Sequence, residues 1–241
     1  MKCEASQQYP CYGILVANSN TDDSPTMKTP ASSTLQDETY TTLRQWLSLG
    51  RWLPGERLKI KQLAQDMQVG EMPVRTALQR LVAEKALANI PNCGVTVPQL
   101  SRTQFDDILQ TRMLLEGEAA EKGARNLSSA DFKLLEELTA TMGEAIRNHD
   151  VKGYLTANED FHITLYRASG SAMLLSLIES VWLHVGPISN QLHQDPHVWS
   201  IMNDCHEDMM RALQRKDPSA VRRAIERDLF NAGQYLKTLC N

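Results

Sequence analysis

Long hydrophobic runs, paired cysteine motifs and glycine-rich loops are all missing from this chain of 241 residues. No stretch of 18 apolar residues occurs, which excludes an ordinary membrane-spanning helix and leaves no membrane partner to expect. No apolar segment follows Met1-Lys2-Cys3-Glu4, so export is not expected and the chain reads as cytoplasmic. The five cysteines (Cys3, Cys11, Cys93, Cys205, Cys240) are odd in number, scattered and free of any CxxC, a pattern of free thiols and not of a disulfide framework or zinc knot. There is no phosphate-cradling glycine loop, and no long segment alternates with strand period, so an α/β enzyme core is not expected.

What is present is core-forming material, at 42% apolar residues, and an uneven charge. The net charge of −4 argues against a generic polyanion binder, yet residues 39–98 carry 8 basic and 4 acidic side chains while residues 99–241 carry 15 and 20. A small basic unit joined to a larger acidic one is a charge distribution that a DNA-binding module produces. Residues 1–38 are rich in Ser, Thr, Asn, Gln, Asp and Pro, with few large apolar groups to offset ordering entropy, and read as a disordered tail.

Residues 39–98 read as three helices and a hairpin. Leu43, Trp46, Leu47 and Leu49 form one helical stripe that stops at Gly50. Leu53-Pro54-Gly55-Glu56-Arg57-Leu58 signals a turn and a short extended piece. A second helix is expected over about Ile60 to Met67, a break at Val69-Gly70, and a third helix over about Met72 to Lys85. Ala88-Asn89-Ile90 and Val95-Thr96-Val97 flank the polar tip Pro91-Asn92-Cys93-Gly94, as in a small β-hairpin. This order defines an N-terminal winged helix-turn-helix whose third helix would enter a major groove.

Residues 99–241 read as an all-α helical bundle, with helices near 102–126, 129–148, 150–169, 172–190, 199–216 and 218–239. Asp131, Asp150 and Asp217 lie near starts, Pro218 suits a first helical position, and Gly170 and Gly186-Pro187 mark interruptions.

These motifs resemble a known family. Leu53-Pro54-Gly55-Glu56-Arg57-Leu58, Gln62-Leu63-Ala64, Pro73-Val74-Arg75, Ala77-Leu78, Arg80-Leu81 and Asn92-Cys93-Gly94-Val95 are similar to the DNA-binding domain of GntR-type transcriptional regulators. Arg112, Leu115-Glu116, Ala119-Ala120, Phe161-His162, Ala168-Ser169-Gly170, His206 and Ala212-Leu213 resemble the FCD ligand-sensing domain of that family's FadR branch. The resemblance implies a homodimeric, ligand-responsive regulator that binds double-stranded operator DNA, first of all a repressor of a metabolic operon released by a small organic acid. Two other readings stand beside it: an architectural DNA-binding dimer without effector response, and a metal-dependent hydrolase.

Arg57, Lys59, Lys61, Arg75, Gln79 and Arg80 are the expected DNA-binding residues, since cations neutralise phosphate and guanidinium pairs with guanine edges. The family's turn into the recognition helix often reads Ser-Arg-x-Pro-Val-Arg; here Glu71 replaces the first arginine, and Cys93 stands where a wing arginine is common. Within the bundle, Asn158 and His162 are four apart and share a helix face. The resemblance makes Asn158, His162, His206 and Asp228 the expected ligands of a divalent transition metal, zinc or nickel, with Asp228 at the usual final histidine position. It makes Arg112 the expected partner of a small carboxylate effector; a salt bridge to Glu116 is the competing role. Trp182 and Trp199 are expected to line the cavity or pack the core, and His184, His193 and His197 to be surface or local hydrogen-bonding residues.

Overall fold

Thr34 opens the first helix by accepting from the Asp37 amide at 3.2 Å. The computed structural model describes residues 34–189, 191 and 196–241. Helix α1 (Leu35–Ser48) therefore begins inside the stretch expected to be tail, and residues 1–33 lie outside the described residues. The helix buries Leu43 and Leu47, and Gly50, at φ 67°, turns the chain just past its end.

Helix α2 (Ile60–Met67) buries Leu63 and Ala64, and α3 (Glu71–Ala83) buries Val74, Ala77, Leu78 and Leu81. The turn between them differs from expectation in one detail. Gln68 takes the left-handed conformation, at φ 55°, while Gly70 sits at an ordinary φ of −70° and caps α3. Pro73 falls in the first turn of α3, where amide donors have no intrahelical partner to lose.

Strands β1 (Ala88–Ile90) and β2 (Gly94–Thr96) pair antiparallel, with Asn89 opposite Val95. The extended piece before α2 adds to this wing: the Leu58 amide donates to Val95 at 2.9 Å and the Val97 amide to Glu56 at 2.9 Å. Leu43, Leu47, Trp52, Leu58, Leu63, Val74, Leu78, Leu81, Leu87 and Val97 form the core of this winged helix-turn-helix, here called the head.

The rest of the described chain is an all-α bundle of α4 (Arg102–Asn126), α5 (Ser129–Arg147), α6 (Val151–Arg167), α7 (Ala172–Ser189), α8 (Pro196–Gln214) and α9 (Pro218–Thr238). Side-chain caps set the starts. Ser101 with Gln104 and Ser128 with Asp131 form capping boxes, so Asp131 is the third residue of α5 and not its cap. Asp150 and Asp217 accept from the amides of Gly153 and Ala220 at 3.0 and 2.9 Å, and Pro218 follows as the first residue of α9. Helix α4 packs on α9, α6 and α7; α5 packs on α6 and α8; and α8 packs on α9. The last residue ties back to the linker, with the Asn241 amide donating to Leu100 at 3.2 Å.

Helix α7 corrects the expectation of an interruption at Gly186-Pro187. It runs through both residues to Ser189, because Pro187 lies near the helix end and Gly186 is the seat on which α1 rests. A Cβ on Gly186 would lie 2.3 Å from the Leu47 carbonyl oxygen and 2.4 Å from that of Ser48. Three residues earlier in the same wall, Leu183 of α7 is only 2% exposed and belongs to the core of the head. Among the described residues α7 alone has the length and apolarity of a membrane-crossing helix, but it packs on α1, α4 and α6.

Candidate functional site

The solvent face of α3 carries Glu71, Met72, Arg75, Thr76, Gln79 and Arg80 because the buried set Val74, Ala77, Leu78 and Leu81 fixes the helix's rotation. Arg75 and Gln79 are one turn apart on that face, the spacing of neighbouring contacts along a groove. Met72 is 67% exposed beside them. Lys59, Lys61 and Arg57 are also exposed, Lys59 and Lys61 at the start of α2 and Arg57 beside the wing, where it lies 3.7 Å from the position of a Gly94 Cβ.

Arg80 is engaged within the head as well as exposed on its surface. Its guanidinium lies 3.6 Å over the Tyr40 ring and donates to Glu84 at 3.3 Å, and Tyr40 hydroxyl donates to the same carboxylate at 2.8 Å. These contacts tie α3 to α1. Cys93 is exposed at the wing tip.

Inside the bundle a chamber of about 100 Å³ is lined by Arg112 of α4, Asn158 and His162 of α6, Trp182 of α7, Asp228 of α9 and, from the head, Ser48 with Leu49. The four expected metal ligands behave as one group only in part by lining; His206, from α8, joins through His162. The two imidazole Nε2 atoms are 3.3 Å apart, and His162 Nε2 lies 3.6 Å from Asp228 Oδ2. His162, His206 and Asp228 are all buried, with candidate ligand atoms within 4.8 Å of one another. Tetrahedral bonds of about 2.0–2.1 Å place ligand atoms roughly 3.3 Å apart, so the observed separations suit one zinc-sized ion. Asn158 Oδ1 and Asp228 Oδ1 are buried without a hydrogen-bond partner in the protein, so two hard oxygen acceptors are left to be satisfied. The donor set fits the ion that the residue types suggest.

Electrostatics act on this set in opposite senses. Burial, then repulsion from His206, holds the His162 pKa well below its usual value, so the ring is neutral and able to ligate. Burial pushes the Asp228 carboxyl up to about 7, with Arg112 opposing the rise. Arg112 makes the salt bridge to Glu116, Nε to Oε1 at 2.6 Å and Nη2 to Oε2 at 3.3 Å, and also reaches the chamber. Burial disfavours its charge, but the Glu116 carboxylate outweighs this and raises its pKa.

Several residues had escaped notice. Tyr166 is fully buried and joins His162 to Glu116; its only sequence signal is the four-residue spacing from His162. Ser48 and Leu49 lie more than sixty residues from the other lining groups, and nothing in the sequence links them. Glu159, which lines the same chamber as Ser48, has its carboxyl pushed up to about 7 by burial and by Asp160. Trp182 lines the chamber and His184 is half-buried with its pKa lowered by burial, whereas His193 and the side chains of His197 and Trp199 lie outside the described residues.

Comparison with known proteins agrees with both halves. Residues 35–97 match the profile of bacterial regulatory proteins of the gntR family, and residues 107–231 match the FCD domain. The chain is 32% identical over 196 residues to the HTH-type transcriptional regulator McbR of Escherichia coli K12, covering 80% of this chain and 88% of that one. It is 26% identical over 227 residues to the Uxu operon regulator of Haemophilus influenzae, covering 81% and 80%. The solved structure of E. coli McbR/YncC superposes with a TM-score of 0.80 at 28% identity, over 86% of this chain and 99% of that one. A GntR regulator from Rhodococcus shares the fold, with a TM-score of 0.70 at 20% identity over 86% and 99%. A head with a wing, a chamber of buried ligating groups and these matches agree: the chain belongs to the GntR family of bacterial transcriptional regulators and carries an FCD ligand-binding domain, which makes it a DNA-binding regulator and not an enzyme.

Proposed function

We propose that this regulator, on the FadR branch of the family, acts in the cytoplasm as a homodimeric repressor of a metabolic operon, released when a small organic acid enters the chamber. The observation that carries the proposal is the sharing of α7 between the two halves. Leu183 is a core residue of the head, while Trp182, Val185 and Gly186 line the chamber. An occupant that displaces α7 therefore acts on the base of the head directly, and a ligand that fits one placement of α7 better shifts the population toward it.

In this reading Arg75 and Gln79 contact base edges or phosphate, and Arg57, Lys59 and Lys61 neutralise phosphate. Arg80 instead holds α3 on α1. A dimer sets two α3 helices one DNA turn apart, about 34–36 Å, on a partly palindromic operator. Asn158, His162, His206 and Asp228 hold the metal ion. The ion, when bound, supplies open coordination positions to carboxylate oxygens. Arg112, whose Nε and Nη2 are held by Glu116, meets a further acidic group of the effector.

The test is selection of duplexes from a random library by the full chain, followed by titration of the selected duplex with wild type and Arg75→Ala across a salt series. Wild type should enrich a palindromic site and Arg75→Ala should lose it while keeping its thermal unfolding. No enrichment by wild type, or equal binding by the two proteins, sinks the DNA assignment. Enrichment that no carboxylate affects favours the architectural reading.

A further inference from the structure

The chamber's metal-facing histidine is wired to a second buried pair. Arg112 donates to both oxygens of Glu116, a carboxylate that is 1% exposed. An ionised carboxylate accepts only, so the Tyr166 hydroxyl, 2.9 Å from Oε2, is the donor in that bond. Tyrosine has one hydroxyl proton. Its remaining contact, 3.0 Å to His162 Nδ1, then requires the ring to donate. Tyr166 and Glu116 are both buried, so water offers no alternative partner that would release this order.

From this geometry we infer that Tyr166 and Glu116 are positioning residues which fix His162 in its Nδ1–H tautomer and keep the Nε2 lone pair facing the chamber. The inference rests on the metal-site reading above for its purpose, but the tautomer is a property of the metal-free chain. Nε2 is the atom that faces His206 and Asp228, at 3.3 and 3.6 Å. A ring free to carry its proton on Nε2 would have to move it before ligating, whereas this ring arrives ready. The same chain of donors connects the chamber to Arg112, so the group expected to meet the effector and the group expected to meet the ion are held by one carboxylate.

The experiment is a long-range proton–nitrogen correlation spectrum of full-length protein with labelled histidine, stripped by chelator and recorded at pH 7.5, together with zinc titrations. Wild type should show His162 protonated at Nδ1. Tyr166→Phe keeps the ring's volume and removes the acceptor, so the tautomer preference should be lost and zinc affinity should fall about 10–100-fold. Glu116→Gln offers an amide donor to Tyr166, which reverses the run of donors; the His162 proton should then move to Nε2. Protonation at Nε2 in wild type, or a Tyr166→Phe protein with unchanged tautomer and zinc affinity, overturns the inference. If wild type binds no zinc but shows the Nδ1–H form that Tyr166→Phe loses, the positioning role stands and the metal reading falls.

Discussion

Gly186→Ala probes the joint between chamber and head most sharply. The added methyl would meet the Leu47 and Ser48 carbonyl oxygens at 2.3 and 2.4 Å and the Ser48 carbonyl carbon at 2.8 Å. All three are backbone atoms at the end of α1, so no rotamer change relieves the contact. Reaching even the shortest separation that Cβ atoms tolerate, about 3 Å, requires α1 and α7 to part by at least roughly 0.7 Å in a packed interior. Overpacking of this kind costs about 1–3 kcal/mol, offset by about 1 kcal/mol of helix propensity gained on replacing glycine. The net effect, about 0–2 kcal/mol of lost stability, lowers Tm by up to roughly 8 °C in a domain of this size. Gly143→Ala is the matched control, because its Cβ would meet only the Arg147 guanidinium, at 3.6 Å. It gains the propensity without the clash, so its Tm should rise by about 2–4 °C. Differential scanning calorimetry of the two variants and wild type decides the matter. A Gly186→Ala protein as stable as Gly143→Ala would refute the close seat of α1 on α7.

Two further outcomes follow from side-chain placement. Arg80→Ala should lower stability by about 1 kcal/mol through lost stacking on Tyr40, measured by denaturant titration, and should reduce the salt slope of duplex binding less than Arg75→Ala does. Asp228, with its pKa raised from 3.8 to about 7, holds a proton in the folded metal-free chain that the unfolded chain has released. Its contribution is therefore greatest below 3.8 and declines as pH climbs toward 7. Asp228→Asn removes that decline, so the variant should gain on wild type by up to about 1.4 kcal/mol per pH unit between pH 4.5 and 6.5. A difference that does not change with pH would show that the carboxyl titrates normally.

Local chemistry made most of the fold legible. Helical spacing of apolar positions placed α2 and α3, and the Asp150 and Asp217 caps placed the starts of α6 and α9 within a residue. The hairpin followed from its polar tip, although Gly94 belongs to β2. Gly186-Pro187 misled because the pair usually ends a helix, whereas here the glycine serves a contact with Leu47 and Ser48 that lies far away in the chain. The convergence of His162, His206 and Asp228 was legible by resemblance. The contact of Arg80 with Tyr40 was not legible, because nothing in the sequence links these two residues. Tyr166 escaped because a tyrosine at helical spacing reads as core, and only the 3.0 and 2.9 Å contacts on its two sides give it a polar role. The head's share of the chamber had no sequence signature at all.

The coupling of chamber to head is tested most directly by the Kd of full-length protein for a selected duplex, measured after chelation, after zinc loading, and with zinc plus each of a panel of small carboxylates. At least one condition should move Kd by about 5-fold or more, the scale of ordinary allosteric coupling, and Leu183→Ala should shrink that shift. The same Kd under all conditions would contradict a chamber that speaks to the DNA-binding face through α7.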